Sequence, residues 1–287
     1  MLPEGICWIN NEIVALQDAR ISVMDHGLLY GDGIFEGIRF YNNTAFLLEP
    51  HLKRLNASAK ALALALPKSM PELSSTLQSV IDAYEHDQGY IRLIVTRGKG
   101  PLGINPAQCN EPELIIIASP LSMSDEQAQK NGIRTIIAST RRIPADCLDP
   151  RIKSLNYLNA ILARIEANNA GVEEALMLNQ QGYITEGSVD NIFIVREDKL
   201  YTPPSVDGSL AGITRDLILK LASNAGINTH IETLSAYDIY SADECFLTGT
   251  GAELIPVNEV DGRKISTCPG VVYKLLKKLF IENSMQC

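Results

Sequence analysis

The stretch Tyr30-Gly31-Asp32-Gly33-Ile34-Phe35-Glu36-Gly37-Ile38-Arg39 fixes the reading of the first half of the chain. From Ile34 to Tyr41 it reads as a strand. Asn42-Asn43 follows as a two-residue hairpin signal, with Thr44–Leu48 expected to return beside it. Working outward, Ile6–Ile9 and Glu12–Val14 flank Asn10-Asn11 in the same way. Glu49-Pro50 is expected to open a helix with proline at its first position, and Leu52, Leu55, Ala59 and Leu62 then form one apolar stripe. Ser69 and Pro71 start a second helix, with Leu73, Leu77, Val80, Ile81 and Tyr84 inward. Tyr90–Thr96 and Glu113–Ser119 read as strands. This half is a compact α+β unit.

After Pro120 the polar stretch Ser122–Lys130 carries no apolar period and is the candidate linker. The expected division is a small N-terminal α/β domain over 1–120, a linker over 121–130 and a larger domain over 131–287. That larger domain alternates strands (Arg134–Ala138, Ala175–Leu178, Asn191–Val195, Asn228–Thr233, Glu244–Thr248) with helices. Ser154–Asn168 places Leu155, Leu158, Ile161, Leu162 and Ile165 on one face and ends at Gly171. Thr214–Ala225, capped by Thr214, stops at Gly226, and Pro269–Ile281 closes the chain with proline at its first position.

The chain has 287 residues, 46% hydrophobic and 21% charged, enough for two buried cores and unlike a disordered protein. Its 25 basic and 34 acidic residues give −9, which disfavours a nucleic-acid binder. The six cysteines show no C-x-x-C spacing and read as free thiols of a reducing compartment. The first residues lack the basic and apolar regions of a signal peptide, and no apolar run is long enough to span a membrane. A soluble, cytoplasmic protein is expected.

Gly98-Lys99-Gly100-Pro101-Leu102-Gly103 matches G-x-G-x-x-G, but Pro101 and Asn105-Pro106 prevent the helix that a dinucleotide fingerprint needs, so it reads as a loop. Thr248-Gly249-Thr250-Gly251-Ala252-Glu253 follows an apolar strand, where small residues can leave N–H groups open to an anion, although this segment alone favours a tight turn. Gly212 precedes a helix start, where free N–H groups attract phosphate. Two such cradles suggest a phosphorylated ligand. Lys153 lies just before the helix expected near Ser154, whose dipole would favour the neutral, nucleophilic amine; most lysines beside helix starts are solvated, so the local chemistry permits this role without selecting it. Glu186 sits in a turn, ordinarily a surface position. His26, His51, His86 and His230 share no metal-ligand spacing.

Together these segments resemble the class IV (fold type IV) PLP-dependent aminotransferases nearly end to end. Tyr30 through Arg39 is similar to the family's N-terminal signature, and Glu49-Pro50-His51-Leu52-Lys53-Arg54-Leu55 to its phosphate-arginine helix. Lys153-Ser154-Leu155-Asn156-Tyr157, Glu186 through Phe193, Gly212-Ile213-Thr214-Arg215 and Thr248 through Glu253 follow in the family's order. The resemblance implies a two-domain α+β fold whose larger domain has a mixed-sheet, barrel-like core. It implies that Lys153 holds pyridoxal 5′-phosphate (PLP) as a Schiff base and then shuttles the Cα proton. Glu186 would pair with the pyridine nitrogen. Arg54, Ile213, Thr214 and Thr250 would bind the phosphate, and Tyr157 the ring hydroxyl.

Within the family, Phe35, Gly37 and Arg39 with Tyr90 and Arg92 look like the branched-chain aminotransferases, acting on L-amino acids and 2-oxoglutarate. There Tyr90 and the Thr250 and Gly251 amides would hold the α-carboxylate, and Arg92 the side-chain carboxylate of glutamate. Tyr30, Phe35, Leu102 and Ile104 would line an apolar pocket, with Tyr30 and the loop from Gly100 to Ile104 reaching into a partner's site, so a homodimer is implied. The Lys153–Tyr157 spacing, nearer some D-amino-acid relatives, and Val189, where glycine is frequent, keep D-amino-acid transamination and aminodeoxychorismate lyase as alternatives.

Overall fold

The computed structural model describes residues 4–120 and 126–285. The chain divides into two compact units, one of Met1–Leu121, Ile152–Asn156 and Ser284–Cys287, the other of Ser122–Arg151 and Tyr157–Asn283.

In the first unit, strands β1 (Ile6–Ile9) and β2 (Glu12–Ala15) are joined by Asn10 and Asn11 at φ 53° and 64°. Helix α1 (His26–Tyr30) precedes β3 (Gly33–Tyr41), and Asn42 and Asn43, at φ 49° and 57°, turn the chain into β4 (Thr44–Ala45). Two successive positive φ values define the hairpin turn whose twist matches paired strands, and Asn tolerates them. The returning strand stops short of Leu48 because Leu48 already begins α2 (Leu48–Ala61). Pro50 is therefore the third helical residue, still in the turn where a missing N–H leaves no bond unmade. Helix α3 (Met70–Ala83) starts behind Ser69, whose N–H and hydroxyl donate to the Glu72 carboxylate at 2.8 and 2.6 Å.

Strands β5 (Gly89–Thr96) and β6 (Glu113–Ser119) complete an antiparallel sheet ordered β2-β1-β6-β5-β3-β4 among the described residues. Ile34, Ile38 and Phe40 of β3 and Ile91, Leu93 and Val95 of β5 pack with Leu52, Leu55 and Ala59 of α2 and Leu73, Leu77, Val80 and Ile81 of α3. Each of the larger side chains contributes roughly 2 kcal/mol by leaving water. Because side chains alternate along a strand, Phe35, Gly37 and Arg39 occupy the other face of β3. Tyr90 stands opposite Arg39, and Arg92 opposite Gly37.

The second unit contains α4 (Glu126–Asn131), β7 (Ile133–Ile137), α5 (Leu158–Ala170), β8 (Glu174–Leu178), β9 (Ile184–Glu186), β10 (Asn191–Arg196) and β11 (Lys199–Thr202). Then come α6 (Ile213–Asn224), β12 (Thr229–Ile231), α7 (Ala236–Tyr240), β13 (Glu244–Gly249), β14 (Glu253–Val260), β15 (Arg263–Lys264) and α8 (Val271–Ser284). The sheet is mixed, in the order β12-β11-β10-β13-β14-β7-β8-β9 with β15 beside β14. Pairs β11–β12, β14–β7 and β7–β8 are parallel.

Several boundaries differ from the sequence reading. Of the expected linker, residues 121–125 lie outside the described residues, and Glu126–Asn131 is helical. Helix α5 begins at Leu158, not near Ser154, and buries Ala160, Ala163 and Ala167, the last two packing with Ala175 and Met177 of β8. Its large apolar residues face outward: Leu158 is 67% exposed, Ile161 52%, Leu162 46% and Ile165 47%. The apolar stripe is visible in the sequence, but small alanines allow the close helix–sheet approach and take the inner face. Gly212, not Thr214, caps α6, and Pro269 lies ahead of α8, which starts at Val271.

Candidate active site

The expected site residues fall into two sets, one in each unit. In the first, Lys153 is seated by backbone pairing with β3. The Phe35 N–H donates to the Lys153 carbonyl at 3.0 Å, and the Leu155 N–H to the Gly33 carbonyl at 2.9 Å. The Lys153 N–H donates to Ser58 Oγ of α2 at 3.1 Å. Gly33 is needed for this approach, since a Cβ there would lie 2.7 Å from Leu155 Cδ1 and 2.8 Å from the Val95 carbonyl oxygen. Lys153 therefore does not stand at a helix start and feels no helix dipole there. A helix begins only at Leu158, and a single bridge between Ser154 and Ile34 of β3 delivers the lysine.

The same face of β3 carries a row of aromatic and cationic groups. Lys153 Nζ lies 4.6 Å and Arg92 Cζ 4.4 Å from the centroid of the buried Phe35 ring. The Tyr90 hydroxyl lies across Gly37, where an added Cβ would sit 1.8 Å from it. Burial raises the Tyr90 pKa, opposed by the Arg92 cation. Arg39 Nε donates to the Tyr41 hydroxyl at 3.3 Å. The structure thus brings Lys153, Phe35, Gly37, Tyr90 and Arg92 together.

On the opposite face one carboxylate interrupts the apolar row. Glu36 is buried between Ile34 and Ile38, and both its oxygens are taken by α2. Arg54 donates from Nε to Oε1 at 2.8 Å and from Nη2 to Oε2 at 2.7 Å, while His51 Nδ1 lies 2.8 Å from Oε2. Burial alone would raise the Glu36 carboxyl, but Arg54 and His51 outweigh it and hold it at about 2.

The G-x-G-x-x-G segment is a loop. The Gly103 N–H donates to the Tyr30 hydroxyl at 2.8 Å, and the His26 ring Nε2 lies 3.0 Å from the Pro101 carbonyl oxygen. Leu102 and Ile104 stand 73% and 82% exposed at its tip.

The second unit carries Glu186, Ile213, Thr214 and Thr250. Glu186 ends β9 and is buried. Its Oε1 lies 2.5 Å from Arg142 Nη2, and its Oε2 accepts from the Leu210 N–H at 3.0 Å and from Asn191 Nδ2 at 3.4 Å. Asn191 also donates to the Leu210 carbonyl at 3.0 Å, tying the carboxylate to the segment that leads into α6. At Gly212 a Cβ would fall 1.8 Å from Asn191 Oδ1, and at Gly249 one would fall 2.1 Å from Asp190 Oδ1, so a side chain at either position would displace its polar neighbour. Ile213 and Thr214 occupy the first turn of α6, whose leading N–H groups lack helical acceptors. Thr250 and Gly251 form the turn between β13 and β14, and the neighbouring Thr248 hydroxyl is buried without a hydrogen-bond partner. Tyr157 caps the start of α5. Val189 is half exposed.

Glu36 and Arg142 are not singled out by the sequence reading. Glu36 carries a usable signal, a carboxylate at the core-facing parity of a strand. Arg142 lies in an irregular segment with no period to reveal its direction.

The family model for class IV aminotransferases matches residues 33–260. The chain belongs to the class IV aminotransferases. A protein of Methanocaldococcus jannaschii is 46% identical over 274 residues, covering 95% of this chain and 94% of that one. The Escherichia coli branched-chain-amino-acid aminotransferase is 36% identical, covering 95% and 91%. The solved structure described as the Escherichia coli branched-chain amino acid aminotransferase superimposes with a TM-score of 0.94 at 35% identity, covering 97% of this chain and 94% of that one. The branched-chain aminotransferase of the thermophilic archaeon Thermoproteus uzoniensis, solved with norvaline, gives a TM-score of 0.92 at 32% identity, covering 99% and 95%. The fold is accordingly the type IV aminotransferase fold, α+β with a curled mixed sheet in its larger part. Among the described residues no helix is long and apolar enough to cross a membrane.

Proposed function

We propose that this class IV aminotransferase uses PLP to transfer the amino group of branched-chain L-amino acids to 2-oxoglutarate. The observation that carries the reading is the fixed amine of Lys153, with its Nζ 4.6 Å from the centre of the apolar Phe35 ring and Arg92 at the same ring. An apolar ring beside a cation suits a site that must accept both an aliphatic side chain and the second carboxylate of glutamate. The resemblance of the whole chain to branched-chain enzymes supports the same substrate class.

The residues present fit PLP. Glu186 offers a buried carboxylate for a protonated ring nitrogen, and the first turn of α6 offers N–H groups for a phosphate. The side-chain-free positions Gly212 and Gly249 and the unpartnered Thr248 hydroxyl suit a polar group against that backbone. PLP, when bound, supplies the electron sink for carbanion charge. Arg54, Ile213, Thr214 and Thr250 would hold its phosphate, and Tyr157 its ring hydroxyl. Lys153 accepts and returns the Cα proton, a role open to an amine held in place by its backbone. Tyr90 with the Thr250 and Gly251 amides receives the α-carboxylate, Arg92 the distal carboxylate, and Tyr30, Phe35, Leu102 and Ile104 the aliphatic part.

We infer a cytoplasmic homodimer. The outward stripe of Leu158, Ile161, Leu162 and Ile165 and the exposed Leu102 and Ile104 are more apolar surface than a solitary chain ordinarily leaves in water. The free thiols of Cys7, Cys109, Cys147, Cys245 and Cys268 suit a reducing compartment.

The test is a pair of half-reactions followed by visible absorbance. L-Leucine or L-glutamate added to the PLP-loaded protein should shift the spectrum, and 2-oxoglutarate should reverse it. Indifference to both, or a response to D-amino acids alone, overturns the reading.

A further inference from the structure

Glu36 is a poor choice for stability alone. A buried carboxylate among Ile34, Ile38 and Phe40 must be fully compensated, and a buried ion pair can often be replaced by apolar residues without loss. Here the compensation is complete and directional. Arg54 meets both carboxylate oxygens along its Nε–Nη2 edge, at 2.8 and 2.7 Å, and His51 Nδ1 shares Oε2 at 2.8 Å. The side chains of Glu36, His51 and Arg54 are 0%, 2% and 12% exposed. His51, Arg54 and Ser58 lie at helical spacing on one face of α2, and Ser58 receives the Lys153 N–H at 3.1 Å. One helix face therefore carries the arginine, the histidine beside it and a group that seats the lysine.

The geometry points to Glu36 as a positioning residue, which with His51 fixes the guanidinium plane of Arg54 so that its remaining N–H groups are aimed at the cofactor phosphate. A bidentate grip on one edge of a planar guanidinium sets the direction of the other edge, which a single charge contact would not do. His51 limits the swing of the carboxylate that does the gripping. Burial lowers the His51 pKa against the opposing pull of Glu36, so the ring is neutral near pH 7 and donates from Nδ1. This inference rests on the reading that Arg54 meets the phosphate.

The experiment compares the affinity of the full-length apoprotein for PLP and for pyridoxal, which lacks the phosphate. The ratio of the two isolates phosphate recognition from everything else the site does. Arg54→Gln should collapse the ratio. Glu36→Asp keeps the charge but withdraws the carboxylate by one methylene, so it should lower PLP affinity tenfold or more and leave pyridoxal affinity within twofold. His51→Asn keeps a donor at the same place and should preserve the ratio, whereas His51→Leu should lower it severalfold. If Arg54→Gln leaves the ratio unchanged, the phosphate reading of Arg54 fails and this inference with it. If Arg54→Gln collapses the ratio but Glu36→Asp does not, or lowers both affinities alike, Glu36 is only structural and the inference alone is overturned. Should Glu36→Asp not fold, the contrast between His51→Asn and His51→Leu decides, and equal ratios in those two variants refute the positioning role.

Discussion

Arg142 Nη2 lies 2.5 Å from Oε1 of Glu186, and the pair is nearly sealed from water, with side chains 17% and 4% exposed. The remaining oxygen of Glu186 is held by the Leu210 N–H and Asn191, so the carboxylate keeps its direction. Glu166 secures the approach to Arg142 by accepting from the Ser139 and Thr140 N–H groups at 2.6 and 2.9 Å. Arg142→Met should cost about 3 kcal/mol, because it leaves a buried carboxylate without its cation. Adding Glu186→Gln should recover at least half of that loss. Urea unfolding of the two variants measures both values, and a double variant no more stable than Arg142→Met would show that the pair is not coupled.

Gly37→Ala places a methyl group where the Tyr90 hydroxyl now lies, 1.8 Å from the ideal Cβ position. Tyr90 must swing away. With Tyr90 as a carboxylate-binding group, KM for both the amino acid and the oxo acid should rise about tenfold, while overpacking costs about 1–3 kcal/mol of stability. Steady-state kinetics beside a thermal melt separate the two effects, and an unchanged KM would remove Tyr90 from substrate binding.

Acid should loosen the first unit through Glu36. Its carboxyl is held at about 2 against a usual 4.5, so it contributes stability above 4.5 that is lost progressively as pH falls toward 2. A shift of that size corresponds to about 3 kcal/mol. Urea midpoints recorded between pH 5 and pH 3 should fall less steeply for Glu36→Gln than for the parent chain. Parallel slopes would mean that some other carboxylate governs acid sensitivity.

Ile161→Glu combined with Ile165→Glu puts two charges into the outward stripe of α5, where the side chains are 52% and 47% exposed. The chain should fold unchanged and sediment as a monomer, since an exposed site tolerates charge and an apolar interface does not. A dimer of parental stability would relocate the contact surface.

Lys153→Ala should keep the fold and the backbone bonds from Phe35 and Leu155, which do not involve the side chain. With Lys153 in the proposed role of attacking amine and proton carrier, transamination should drop by at least three orders of magnitude. Parental rates would reassign the nucleophile.

Much of this architecture can be read from residue order. Asn10-Asn11 and Asn42-Asn43 announce both hairpins because their turn demands two positive φ values that few residues accept. The stripes of α2 and α3 point inward as their period requires. The stripe of α5 misleads, since periodicity identifies a face but not which face is covered, and alanines win the contact with β8. Strands β11 and β14 escape the sequence reading, the latter broken by Pro256. Lys153 and Glu186 are recognisable only through family order. Nothing local tells that Lys153 lies against a strand, because its partners Gly33 and Phe35 are far away in the chain.

The two main-chain bonds that seat residue 153 owe nothing to the side chain there. The address of the side chain at 153 is thus written in the strand, and the occupant can be exchanged. A cysteine installed at 153 and alkylated to an amine of different length would leave from the same point with the same starting direction. The reach of the amine then becomes a quantity that can be dialled methylene by methylene, with the scaffold held constant.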